Sequence, residues 1–288
     1  IIVGAGFAGL YMLHKLRGLG LSVRIYETGS GVGGTWFWNR YPGARCDVYS
    51  LEYSYSFDEQ LQQDWEWSER YPAQAEILSY IEHVADRFDL KRDIQFNTFV
   101  DSAHFVEGEG YWKVATKGGE IVTSRFCIMA SGALSASRRP DFDGLDDFAG
   151  NWYHTGQWPH EPVDFSGQRV AVIGTGSSGI QVTPMVAEQA DHLTVFQRTP
   201  NFSIPAWNHP LSTEEQNAWK RQASQLRAAA KASKSGALYQ YGQRGTFEVT
   251  EEERQAEYDR RWAHGGANFT HAFNDLFKDR AANDLAAD

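Results

Sequence analysis

An α/β fold with two Rossmann-like dinucleotide-binding domains is predicted by three observations. A short apolar strand, a glycine-rich turn and a helix follow one another twice, first within 1–27 and again within 169–199. Between these units, residues 94–128 alternate like antiparallel strands. Beyond residue 208 the chain becomes polar and helical. We therefore expect two such domains, a small antiparallel β meander and a helical insertion in the second domain.

The composition describes a globular, acidic protein. Of the 288 residues, 42% are hydrophobic and 22% are charged. A chain of this length and composition can form the hydrophobic cores of two domains. The formal net charge of −10 disfavours nucleic-acid and membrane-surface partners. Cys46 and Cys127 are far apart and lack metal-ligand spacing, so we expect no metal site and a reducing, cytoplasmic setting. The oligomeric state is left open.

The two ends of the chain suggest a piece of a longer protein. Residues 1–3 form an apolar strand that runs directly into a glycine turn, so we expect residues before it. Residues 278–288 form a polar, helix-like stretch without a strand to finish a sheet. No apolar run reaches the roughly 18 residues that cross a bilayer.

The first glycine loop predicts a site for FAD or NAD. Gly4-Ala5-Gly6-Phe7-Ala8-Gly9 follows a strand and opens a helix, so that backbone N–H groups can meet a pyrophosphate. Glu27 ends the next strand, where a carboxylate accepts hydrogen bonds from a ribose diol and repels a 2′-phosphate. We name this the FAD loop.

The second glycine loop predicts an NADPH site. Gly174-Thr175-Gly176-Ser177-Ser178-Gly179 follows the strand 170–173 and precedes a helix. Arg198 stands at the end of the next strand, where the first unit has its acid, and can grip a 2′-phosphate. Thr199 is a neighbouring donor. The alternative for Arg198 is an ordinary surface arginine. We name this the NADP loop.

Local patterns define the other elements and the domain boundaries. Helices are predicted over 71–88, 212–234, 250–262 and 268–284, and meander strands over 94–96, 103–106, 111–115 and 120–123. The apolar run 126–130 predicts a buried parallel strand. We expect an incomplete FAD domain over 1–140, a linker over 141–166, and an incomplete NADP domain over 167–288 whose helical insertion begins near 209.

FAD and NADPH together leave few classes of enzyme. Disulfide reductases need a redox-active cysteine pair, which Cys46 and Cys127 cannot form by their spacing. Flavin monooxygenases and simpler NADPH oxidoreductases remain.

Two long motifs resemble those of type I Baeyer–Villiger monooxygenases, and residues 150–205 are similar to the phenylacetone and steroid monooxygenase branch. Residues 33–47 read GGTWFWNRYPGARCD, similar to a G-G-x-W motif followed by Y-P-G and an aspartate. Residues 148–159 read FAGNWYHTGQWP, which matches F-x-G-x-x-x-H-x-x-x-W-P at every fixed position. The resemblance covers essentially the whole chain.

The resemblance implies a cycle in which NADPH reduces FAD, dioxygen adds to the flavin, and the flavin peroxide converts a ketone to an ester or lactone. It also implies that the catalytic arginine lies outside this chain. A flavin monooxygenase that oxygenates nitrogen or sulfur is the first alternative. A non-catalytic nucleotide-binding remnant is the second.

The resemblance further implies roles for single residues. Gly34, Thr35, Trp36 and Trp38 would cover the flavin, although the aromatic rings can instead fill a core. Asp47 would lie near the flavin and orient a catalytic arginine, although it can instead cap a helix. His154 is interpreted as structural and not as a general base. Further cofactor contacts are expected at Tyr53, Val100 and Gln181.

Overall fold

The computed structural model describes residues 1–288, which divide into two compact units. The first unit comprises Ile1–Ala44, Gln74–Val170 and Gln181–Leu193. The second comprises Arg45–Ala73, Ala171–Ile180 and Thr194–Asp288. The domain boundaries expected from the sequence remain a prediction.

Strands and helices both occur, and in each glycine-loop unit a helix connects two strands, as in an α/β fold. The strands are β1 (Ile2–Val3), β2 (Ile25–Tyr26), β3 (Ile94–Gln95), β4 (Val100–Val106), β5 (Tyr111–Thr116), β6 (Ile121–Ser124), β7 (Ile128–Met129), β8 (Arg169–Ile173) and β9 (His192–Phe196). The helices are α1 (Phe7–Gly18), α2 (Thr35–Trp38), α3 (Glu59–Asp64), α4 (Gln74–Arg87), α5 (Ser177–Ala187), α6 (Thr213–Ala232), α7 (Glu251–His264) and α8 (Arg280–Ala287).

A four-stranded parallel sheet in the order β3-β2-β1-β7 forms the centre of the first unit. Ile2 and Ile25 pair across the sheet and are fully buried. Leu10 and Leu13 of α1 and Ile77 and Ile81 of α4 are also fully buried. Apolar residues at this spacing form one face of a helix, and burying that face stabilises the unit.

The meander is confirmed, but its first predicted strand belongs elsewhere. β4, β5 and β6 form a three-stranded antiparallel sheet. Ile94–Gln95, expected in the meander, instead pairs in parallel with Ile25–Tyr26. The prediction was wrong because apolar alternation identifies a strand without specifying the neighbour with which it pairs.

β7 runs parallel to β1 as predicted, but it is not buried. Met129 is 62% exposed and Ile128 is only partly buried. The reason is the strand order, because β7 occupies one edge of the sheet and has β1 as its only neighbour.

The second sheet consists of β8 and β9. The two strands run in the same direction: the Gln168 carbonyl accepts from the Asp191 N–H, and farther along the Gly174 N–H donates to the Phe196 carbonyl. The helix α5 connects them, so this segment is the second strand–turn–helix–strand unit. With two such units, a meander and helices after residue 208, the predicted fold class is confirmed.

Two helices of the insertion, α6 and α7, begin at capping boxes. Ser212 and Glu215 exchange hydrogen bonds at the start of α6, and Thr250 and Glu253 do the same at α7. The predicted helix over 268–284 was too long: a 3-10 helix spans Gly266–His271 and α8 begins only at Arg280. The intervening chain turns around Asp275, whose carboxylate accepts from the N–H and hydroxyl of Thr246. No helix is both long and apolar enough to cross a membrane.

Candidate functional site

The FAD loop forms a tight backbone turn between β1 and α1. Gly4 has a φ of +102°, and a Cβ there would lie 2.6 Å from the Ala130 carbonyl oxygen. A Cβ on Gly9 would overlap the Gly4 carbonyl. At the N-terminus of α1, Gly6 provides no side-chain cap, and the first turn holds no acidic residue. The loop therefore fits a pyrophosphate seated on a helix N-terminus.

Glu27, which follows β2, is the charged group beside this loop and is only 5% exposed. One carboxylate oxygen accepts from the Ala5 N–H at 2.6 Å and the other from the Gly29 N–H at 2.7 Å. Each carboxylate oxygen carries a second lone pair, so capacity for ribose hydroxyls remains. The ribose contact itself stays a prediction.

The G-G-x-W motif lies directly against the FAD loop. The Gly33 N–H donates to the Ala5 carbonyl at 3.0 Å. A Cβ on Gly34 would come within 2.9 Å of the Gly6 Cα. Two motifs that are separated in sequence are thus packed backbone to backbone, and this approach requires glycine at position 34, where φ is +55°. Thr35 begins the short helix α2 at this contact.

The aromatic residues of α2 differ in their accessibility. Trp36 is buried, with 8% of its surface exposed, and the Gln74 side chain donates to its carbonyl. Trp38 is partly buried, with its ring centroid 5.0 Å from Phe37 and 6.2 Å from His160. A flavin contact stays a prediction for Trp36 and Trp38.

Phe37 and Gln74 are residues of this site that sequence reasoning missed. A Cβ on Gly29 or on Gly31 would meet the Phe37 ring, at 2.8 Å and 3.0 Å respectively. The ring thus fills the space that these two glycines leave open. The available signal was the glycine pair itself, since glycines flanking a loop often mark the close approach of another group.

The Y-P-G motif contacts the N-terminal half of α5. The Tyr41 hydroxyl donates to Gln181 Oε1 at 2.7 Å, and a Cβ on Gly43 would overlap the Gln181 carbonyl. Gln181, which the resemblance assigns to the cofactor, is therefore oriented by Tyr41. Val100 opens β4, pairs with Thr116 and is partly buried.

Asp47 and Tyr53 lie in the second unit, in a segment without regular structure. No helix begins at Asp47, since the next helix is α3 with Asp58 as its N-cap, so the capping alternative is wrong. Although Asp47 is exposed overall, neighbouring atoms remove part of the hydration of its carboxyl group and raise its pKa. Tyr53 is partly buried. Burial raises the pKa of the Cys46 thiol to about 11, which keeps it unreactive.

The NADP loop has the same local design in more open surroundings. Gly174 has a φ of +104°, and a Cβ on Gly174 or on Gly176 would meet nothing within 4 Å. A Cβ on Gly179 would overlap the Gly174 carbonyl, as in the first loop. Ser177 and Ser178 begin α5, whose first turn holds no acidic residue. This loop also fits a pyrophosphate.

The end of β9 provides the side chains beside the NADP loop. Arg198 and Thr199 are exposed, and no carboxylate pairs with the Arg198 guanidinium. Gln197 and Asn201, which sequence reasoning missed, both donate to Thr175. Arg198 is thus available for an anionic group, and its contact with a 2′-phosphate stays a prediction.

His154 acts within the second motif as a structural cap. Its Nδ1 accepts from the Gly156 N–H at 3.1 Å, at the start of the 3-10 helix Thr155–Gln157. This contact agrees with the structural interpretation of the histidine. Nearby, Trp158 packs against Tyr153 and Phe165, with ring centroids 5.3 Å and 6.2 Å apart.

Known proteins are similar to this chain in sequence and in structure. The family model described as flavin-binding monooxygenase-like matches residues 1–208. A Baeyer–Villiger monooxygenase from Pseudooceanicola batsensis is 43% identical over 100% of this chain and 53% of its own length. A phenazine N-monooxygenase from Lysobacter antibioticus is 43% identical over 100% of this chain and 54% of its own length.

A solved structure extends the similarity to the backbone. An oxidized steroid monooxygenase bound to NADP has a TM-score of 0.94 and 53% identity, covering 99% of this chain and 55% of that chain. The chain spans about half the length of the curated relatives it matches.

Proposed function

The chain belongs to the flavin-binding monooxygenase-like family, and from this premise we propose that it functions as an FAD-dependent, NADPH-consuming Baeyer–Villiger monooxygenase. The substrate class is a ketone, which dioxygen converts to an ester or lactone. The observation that carries the proposal is the pair of glycine loops with opposite charges at their ribose positions, Glu27 and Arg198. A relative named Baeyer–Villiger monooxygenase and a steroid monooxygenase structure bound to NADP support it.

In this proposal the FAD loop holds the flavin nucleotide. The N-terminus of α1 and the backbone of Gly4–Gly9 bind its pyrophosphate, and Glu27 accepts hydrogen bonds from its ribose. Bound FAD supplies the redox chemistry by taking reducing equivalents from NADPH and activating dioxygen. Trp36 and Trp38 exclude water from the reacting atoms, which prevents wasteful side reactions.

The NADP loop binds the reducing nucleotide. The start of α5 receives the pyrophosphate at Gly176, Ser177 and Ser178, and Arg198 grips the 2′-phosphate through charge-assisted hydrogen bonds. Thr199 and Gln181 are additional contacts in this proposal.

Asp47 is the proposed acidic residue near the flavin. Its partly desolvated carboxylate would orient a catalytic arginine, and this chain offers no arginine that matches the family motif. Arg45 is already engaged, because it donates to Glu69 at 2.8 Å and to the Tyr71 carbonyl at 2.9 Å. Free Cys46 and Cys127 support a reducing, cytoplasmic setting.

The test is product analysis with the whole protein. Purified protein with FAD, NADPH and oxygen is incubated with linear, cyclic, aromatic and steroid ketones, and products are identified by gas chromatography with mass spectrometry. We expect an ester or lactone from at least one ketone class. Absence of such a product from every ketone, together with oxygenation of sulfides or ring nitrogens, would overturn the ketone assignment.

Oxygenation of nitrogen is the second candidate function. It is favoured by the phenazine N-monooxygenase, whose identity to this chain equals that of the Baeyer–Villiger relative. The same assay therefore includes phenazine and other aromatic N-heterocycles, for which an N-oxide is the diagnostic product.

The non-catalytic alternative has a spectroscopic test. Under nitrogen, NADPH should bleach the flavin absorbance of the protein, and air should restore it. A protein that binds nucleotide without bleaching would be a binding module and not an enzyme.

A further inference from the structure

The NADP loop is hydrogen-bonded to the segment that carries Arg198, mainly through one threonine. Thr175 is the second residue of the loop and is partly buried. The Gln197 Nε2 donates to Thr175 Oγ1 at 2.9 Å, and the Asn201 Nδ2 donates to the Thr175 carbonyl at 3.2 Å. With the backbone bond from the Gly174 N–H to the Phe196 carbonyl, three hydrogen bonds link the two segments.

The bond from Gln197 determines what the Thr175 hydroxyl can do. A hydroxyl has one proton to donate and two lone pairs that accept. Because the Gln197 amide donates into one lone pair, the hydroxyl proton is directed elsewhere. The N-terminus of α5 favours an anion beside the hydroxyl, and a phosphate oxygen can accept that proton.

We propose that Gln197 is a positioning residue for the dinucleotide pyrophosphate: it orients Thr175 as a hydrogen-bond donor and, with Asn201, holds the NADP loop at the end of β9. The proposal rests on the proposed NADPH site. It separates two tasks on adjacent residues. Gln197 acts on the pyrophosphate, which NADPH and NADH share, whereas Arg198 acts on the 2′-phosphate that only NADPH has.

The first experiment measures nucleotide binding to the whole, FAD-loaded protein by isothermal titration calorimetry with NADP⁺ and NAD⁺. Gln197→Ala should raise both dissociation constants by a similar factor, about fivefold, which corresponds to the loss of one hydrogen bond. Gln225→Ala, an exposed glutamine on α6, is the matched control and should change neither constant.

The second experiment tests the direction of the hydrogen bond. Gln197→Glu keeps the shape but can only accept, so the Thr175 hydroxyl must donate to it and away from the phosphate. This variant should bind both nucleotides more weakly than Gln197→Ala. In a Thr175→Val background, which lacks the hydroxyl, Gln197→Ala should cause no further loss, since the two residues act as one unit.

A third readout needs no nucleotide. Hydrogen exchange of the amides in 174–179 should be faster in Gln197→Ala than in wild type, while the flavin absorbance and the melting temperature stay unchanged.

The outcomes separate this inference from the proposed function. Wild-type protein that binds neither nucleotide would overturn both. Wild-type protein that binds NADP⁺ while Gln197→Ala binds it equally well would overturn only the role of Gln197. A loss restricted to NADP⁺ would also overturn it, because the residue would then act on the 2′-phosphate.

Discussion

The FAD loop and the NADP loop have the same local design but different surroundings. Glu27 is 5% exposed, and a Cβ on Gly4 would lie 2.6 Å from the Ala130 oxygen. At the NADP loop, a Cβ on Gly174 would meet nothing within 4 Å, and Phe196 at the end of β9 is 56% exposed. An enclosed binding site suits a cofactor that stays bound through many turnovers, and an open binding site suits a nucleotide that enters and leaves. The shared motif therefore gives both loops the same turn geometry, and the neighbouring backbone decides how enclosed each loop is.

The largest expected effect compares the first glycine of each loop. Gly4→Ala and Gly174→Ala both place a Cβ at positive φ, which costs about 1–2 kcal/mol. Only Gly4→Ala adds a collision with the Ala130 backbone, so its free energy of unfolding should fall by more than about 3 kcal/mol and FAD should be lost. Chemical denaturation and the flavin absorbance measure this. Equal losses in both variants would contradict the comparison.

The next effect concerns the buried carboxylate. Glu27→Gln removes the charge that accepts from Ala5 and Gly29, and it places an amide donor beside an N–H donor. We expect a loss of about 3 kcal/mol, shared between stability and FAD affinity, because hydrogen bonds to charged groups are the stronger ones. FAD titration of the apoprotein measures the affinity. Glu188→Gln, at an exposed position just after α5, is the control and should have no effect.

An effect that distinguishes NADPH from NADH is expected at Arg198, beside the NADP loop. Arg198→Ala should raise the KM for NADPH by a factor that corresponds to about 1.5–3 kcal/mol and leave the KM for NADH nearly unchanged. Steady-state oxidation of NADPH and NADH provides both values. Arg169→Ala, exposed at the opposite end of the same strand pair, should change neither. If Arg198→Ala raised both values equally, the assignment of Arg198 to the 2′-phosphate would be refuted.

The smallest effect on stability is expected for Gly176→Ala. Its Cβ would occupy open space, so the free energy of unfolding should change by less than about 0.5 kcal/mol. The second glycine of such a loop nevertheless permits close approach of the backbone to the pyrophosphate. NADP⁺ binding, measured by calorimetry, should therefore weaken although stability does not. Unchanged binding would mean that the pyrophosphate does not approach this residue.

The sequence by itself determined the features that depend on neighbours along the chain. The glycine turns, the helices that start near Ser212 and Thr250, and the core face of α4 were predictable because turn chemistry and helical periodicity are local. The residues of both candidate loops belong to this group.

The tertiary structure alone decided the contacts between distant segments. Local alternation could not place Ile94 in the parallel sheet or reveal that Met129 lies at its edge, since strand order depends on pairing across many residues. The packing of Gly34 on Gly6, of Phe37 on Gly29, and the bond from Gln197 to Thr175 became visible only in three dimensions. The physical reason is that a side chain's type restricts its conformation and its hydrogen-bonding capacity, whereas its partner is set by how the whole chain packs.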